Sequence, residues 1–175
     1  MENFRNKLKV LLETSTGQER KALANEMLTL GFVPSQFSDF FQEPKLGRRL
    51  AWMITDLAHL DAAYLSKDLS ELWRISQTVE SFDFKSSFTN YWRYCGVPIA
   101  QESEAINYLL CVLEESSYNT TTKSRALWVM ELLIGKYPVL ARELKAVLRA
   151  NYIHYEKGMQ QRVHKFLRQK KSELL

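Results

Sequence analysis

The sequence predicts an all-α protein of about nine to ten helices, stacked as neighbouring pairs into a right-handed α-α superhelix. Three observations lead there. Apolar residues recur at helical spacing along almost the whole chain. Only 6 Gly and 4 Pro punctuate 175 residues, too few for the many turns of a sandwich or barrel. A pattern of two helices also repeats about every 38 residues.

Phe4, Leu8, Leu11 and Leu12 form the first apolar stripe, and Leu23, Met27 and Leu30 the second, which Gly31 closes as a helix C-terminus. Phe37, Phe40 and Phe41 mark a short helix between Pro34 and Pro44, completing an N-terminal segment, 1–44. Seven longer helices follow. Their stripes are Leu50/Ile54/Leu57/Ala58, Leu65/Leu69/Leu72/Trp73, Phe84/Phe88/Tyr91/Trp92/Cys95 and Ile106/Leu109/Leu110/Leu113. The last three are Ala126/Val129/Met130/Leu133, Leu140/Leu144/Val147/Leu148 and Met159/Val163/Phe166/Leu167. They divide into helix pairs at 45–80, 83–115 and 121–151 and a closing helix at 157–171, within a single domain spanning 1–175. Gly96-Val97-Pro98 ends one helix, Ser116 to Thr122 offers N-caps for another, and Pro138 suits a first turn.

Arg49-Leu50-Ala51-Trp52-Met53-Ile54 aligns without a gap on Arg125-Ala126-Leu127-Trp128-Val129-Met130. Arg49, Ser86, Arg125 and Arg162 stand 37, 39 and 37 residues apart, and five residues after each comes Ile54, Tyr91, Met130 or Leu167. A two-helix unit of this size cannot bury its apolar face alone, so neighbours must stack. The Arg-x-x-x-x-apolar opening, the turn and the leucine-rich second helix resemble HEAT and armadillo repeats, from about Lys45 to Leu167. More narrowly, Lys136-Tyr137-Pro138-Val139-Leu140 and Arg162-Val163-His164-Lys165-Phe166-Leu167 resemble a family of small bacterial HEAT-like proteins without an established activity. Ser86 departs from the basic residue that opens such repeats. Some members carry the name adenylosuccinate lyase, but the Ser-rich, Lys-containing signature loop of that enzyme is absent here.

The polar opening Met1 to Lys7 lacks the apolar segment of a secretory signal, and no apolar run is long enough to span a membrane. The expectation is a cytoplasmic protein, with Cys95 and Cys111 reduced and Asn119-Thr120-Thr121 a chance match to the glycosylation pattern. Charge is uneven: Met1 to Gly135 holds 14 basic and 17 acidic residues, Lys136 to Leu175 10 basic and 3 acidic.

Catalytic motifs are scarce. His59, His154 and His164 lie apart and lack metal-ligand spacing, and no phosphate loop or nucleophile elbow occurs. The expectation is therefore a non-enzyme with no metal and no cofactor. Asp56, His59 and Asp61 read as a solvated helix terminus. Trp52 and Asp56 share a helix face, as Trp and Asp do in the groove of HEAT-like DNA glycosylases. The simpler reading packs Trp52 between first helices, as Trp128 would be. Between Leu50 and Glu115 there are only 4 basic but 10 acidic residues, which would repel phosphates.

Arg142, Lys145 and Arg149 fall at i, i+3 and i+7, and Lys157, Arg162, Lys165, Arg168, Lys170 and Lys171 load the last helix. Both a solvated polar face and a contact surface for an anionic partner fit that pattern. The main functional expectation is a scaffold binding a protein or peptide on its inner, concave surface, through Lys67, Glu71, Arg74, Asn107, Tyr108, Arg142, Lys145 and Arg149. The alternative is a nucleic-acid binder or base-excision enzyme using the basic end. A third class, a subunit docking through Phe37, Phe40 and Phe41, requires that cluster to be exposed.

Overall fold

The computed structural model describes residues 1–169, and these contain helices and turns but no strand. Ten are α-helices: α1 (Glu2–Leu12), α2 (Gly17–Leu30), α3 (Pro44–Leu60), α4 (Ala62–Ser66), α5 (Leu69–Ser76), α6 (Phe82–Cys95), α7 (Glu102–Glu114), α8 (Thr120–Lys136), α9 (Leu140–Ala150) and α10 (Lys157–Gln169). A nine-residue 3-10 helix, Pro34–Gln42, makes eleven, and two three-residue 3-10 turns, Ile99–Gln101 and Tyr152–His154, complete the set. The expected nine to ten is exceeded because the helix read across Leu65 to Trp73 is two. Lys67 and Asp68 interrupt it, and Asp68 turns inward to take the Ser35 amide at 2.9 Å and the Ser35 hydroxyl at 2.5 Å.

Local chemistry explains the boundaries. Thr16 and Glu19 form a reciprocal capping box at the start of α2. Gly31, at φ 73°, ends that helix: its N–H donates to Leu28 and the next N–H to Met27. Asp61, Ser81 and Asn119 cap α4, α6 and α8 through their side chains. Pro34 opens the 3-10 helix and Pro44 opens α3, where a missing N–H leaves no bond broken.

The chain divides into two compact units, Met1–Ile99 and Ala100–Leu175. In the first, α3 is the central helix and packs on α1, α2, α4, α6 and the 3-10 helix. Its apolar face, Leu50, Ile54 and Leu57, is fully buried. Trp73, Phe84, Phe88, Tyr91 and Trp92 form one aromatic cluster beside it, with ring centroids 4.8 to 5.5 Å apart. The Tyr91 hydroxyl donates to the Ala51 carbonyl at 2.8 Å, tying α6 to α3. Phe37, Phe40 and Phe41 are buried, so a docking role for that cluster loses its footing. Leu11 and Leu30 face outward instead of completing their stripes, because α1 and α2 each have one covered side.

In the second unit α7 packs against α8 and α9, and α8 also against α10. Ile54, Tyr91 and Met130 are all fully buried, whereas Leu167 is half-buried and its neighbour Phe166 points inward. No helix among the described residues is long and apolar enough to cross a membrane.

Candidate functional site

The turn at Tyr137–Pro138 delivers the chain into α9, with the Leu140 and Ala141 amides donating back to Tyr137 and Pro138. Leu144 and Leu148, four apart, are buried and fix the helix by one side. The opposite side therefore carries Arg142, Ala146 and Arg149 into solvent, with Lys145 half-buried at its flank. None of the three cations has a carboxylate within ion-pair distance among the described residues. Val139 and Ile153, just beyond each end of the helix, are 82% and 78% exposed. Arg142, Ala146 and Arg149 thus share the outward face of α9, with exposed Val139 at its N-cap and exposed Ile153 in the 3-10 turn beyond its end.

α10 buries Met159, Val163 and Phe166 and turns Lys157, Gln161, His164, Lys165 and Arg168 outward. Arg162 is engaged instead: it donates to Glu131 and lies over the Trp128 ring. Lys170 and Lys171 lie outside the described residues.

The remaining sequence-predicted contact residues divide. Lys67, Glu71 and Arg74 belong to the first unit and are exposed, but Glu71 and Arg74 close a bidentate pair at 2.8 and 2.5 Å. Asn107 is exposed on α7. Tyr108 is not: it is 8% exposed and packs edge-on to Tyr118. It lies on the same face as Ala105, Leu109 and Val112, so the buried face of α7 is wider than the Ile106/Leu109/Leu110/Leu113 stripe and takes Tyr108 in.

Trp52 and Trp128 do not pack between helices as expected; they are 41% and 44% exposed, each under a guanidinium. Arg20 and Arg49 both lie over Trp52, at 5.7 and 5.1 Å from the ring centroid. Asp56 is buried instead of solvated, and Arg20 Nε donates to it at 2.5 Å. His59 is exposed against the Tyr94 ring, and Asp61 caps α4. This arrangement ties α2 to α3, with Asp56 enclosed against Arg20.

No family model, curated protein or solved structure matches the chain. Among the described residues no group of three or more His, Cys, Asp and Glu is placed to hold a metal ion. Cys95 and Cys111 form no disulfide and are half-buried, and burial pushes the Cys95 thiol up to about 11, away from nucleophilic reactivity.

Sequence reasoning missed Lys123. It is buried at the start of α8, beside Tyr155 and below the Leu113 carbonyl. The signal was present, since Lys123 heads the i, i+3, i+4, i+7 row completed by Ala126, Leu127 and Met130, all buried.

Proposed function

We propose that the protein is a non-enzymatic, HEAT-like binding module that takes an acidic, apolar-studded segment of a partner protein on α9. The observation that carries this reading is the trio Arg142, Lys145 and Arg149, which has no acidic partner within the described residues. Solvated cations are common, but here they alternate with exposed Val139, Ala146 and Ile153. An amphipathic segment with acidic and aliphatic residues at helical spacing would meet both components. The HEAT-like reading is supported by packing between non-consecutive helices inside each unit: α3 on α6 across the broken pair α4 and α5, α7 on α9, and α8 on α10. Two cysteines outside any disulfide suit a reducing, cytosolic setting.

A second reading, nucleic-acid binding, draws support from Lys157, Lys165 and Arg168 along the outer face of α10. Among the described residues α10 places no exposed aromatic between those cations, only the half-exposed Trp128 under Arg162, and Glu143 flanks Arg142 on α9.

Fluorescence anisotropy with a labelled Glu/Leu amphipathic peptide and with a duplex DNA of matched charge separates the two. The proposal expects peptide binding that falls at least tenfold in R142E/R149E and little in K165E/R168E. DNA binding that depends on α10 and exceeds peptide binding would overturn it in favour of the second reading.

A further inference from the structure

Between the start of α8 and the Tyr152–His154 turn lies a cavity of about 90 Å³, walled by Ser116, Tyr118, Lys123, His154, Tyr155 and Glu156 among others. By the same measure one water needs roughly 10–15 Å³, so the space suits a group of a few heavy atoms and not a nucleotide.

Lys123 is 7% exposed, with its ammonium 5.1 Å from the centroid of the Tyr155 ring. Its one acceptor among the described residues is the Leu113 carbonyl, at a long 3.4 Å, and the Tyr155 hydroxyl already donates to that oxygen at 2.9 Å. An ammonium carries three donors, so two find no acceptor among the described residues. A buried charge in that state is costly unless something pairs with it, and burial lowers the Lys123 amine from its ordinary value, against a smaller opposing pull from Glu115.

The nearby carboxylates do not close the gap. Glu115 accepts from Cys111 and Ser117, and Glu156 accepts from Thr120; neither lies within ion-pair distance of Lys123. The Ser116 hydroxyl makes no hydrogen bond among the described residues. Thr120, the first residue of α8, lines the same wall.

We propose that this cavity binds one small oxyanion, a carboxylate or a phosphate, with the Lys123 ammonium as its principal ligand and the Ser116 hydroxyl as a second donor. The site is independent of the α9 surface. Glu156 sets an upper limit on its affinity, because its charge faces any anion that enters.

The test is a titration of the full-length, isotope-labelled protein with inorganic phosphate and, separately, with acetate at constant ionic strength, followed by backbone amide shifts. Saturable shifts confined to residues 116–124 and 154–157 are expected, at least tenfold weaker in K123M and about threefold tighter in E156Q. The arm that saturates at lower concentration names the ligand class. Linear shifts, shifts spread over the surface, or shifts equal in K123M would mean an adventitious ion only and would overturn the proposal. Should K123M fail to fold, S116A and E156Q decide alone: weakening in the first and tightening in the second are required, and their absence refutes the site.

Discussion

Arg20 and Asp56, 36 residues apart, form the most enclosed ion pair among those described, with side chains 17% and 6% exposed and a 2.5 Å contact. It binds α2 to α3 at the point where Trp52 leaves the core, so one guanidinium both pairs with the carboxylate and covers the indole. Removing Arg20 alone leaves a buried carboxylate without a partner. Arg20→Met is expected to cost about 3 kcal/mol, while R20M/D56L recovers most of that loss. Urea denaturation of the two variants checks it; a single variant as stable as the parent would show that Asp56 is solvated after all.

Gly47 occupies the first turns of α3, where the chain of the 3-10 helix crosses it closely. A Cβ there would stand 2.9 Å from the Phe41 Cα and 3.2 Å from the Phe40 carbonyl oxygen, both backbone atoms that cannot rotate aside. In an open helix Gly→Ala adds up to about 1 kcal/mol of stability. Here Gly47→Ala is expected to destabilise by about 1–3 kcal/mol through overpacking. Gly135, with nothing within 4 Å of its would-be Cβ, serves as the control and is expected to gain stability on the same substitution.

Glu102 accepts from Lys136 at 2.7 and 3.0 Å and from the Tyr137 hydroxyl at 2.5 Å, closing the end of α8 onto α7. Lys136 first, then Tyr137, holds its carboxyl below the ordinary 4.5. A depressed carboxyl contributes stability above its unfolded value and loses it as pH falls through the folded one. Glu102→Gln is therefore expected to cost about 1 kcal/mol at neutral pH, with the difference from the parent shrinking below 4.5. Urea midpoints at pH 7 and at strongly acid pH measure the difference; a gap that stays constant would remove Glu102 from the linkage.

Helix identity was legible because period-3.6 stripes and cap residues act locally: Gly31, Gly96 and Asn119 are turn or cap residues wherever they sit. What escaped depends on partners distant in sequence. The break at Lys67–Asp68 exists because Ser35 draws Asp68 inward, 33 residues away. Tyr108 is buried with Tyr118 packed edge-on to it, and Trp52 is left partly open with Arg20 and Arg49 over its ring. At the candidate surface, helical spacing placed Arg142, Lys145 and Arg149 on one stripe of α9. Spacing also carried the pairing of Glu71 with Arg74, three residues apart, and the inward row headed by Lys123, but a charged side chain is ordinarily placed in solvent.

The central claim, that the α9 stripe receives an acidic partner segment, is tested most directly by mapping where such a segment lands. Amide shifts of the labelled protein should move, on adding the Glu/Leu peptide, between Val139 and Ile153 and return to baseline as salt is raised. Shifts confined to α10, or to the exposed Leu11 and Val10 of α1, or an absence of saturation at low salt, would contradict it.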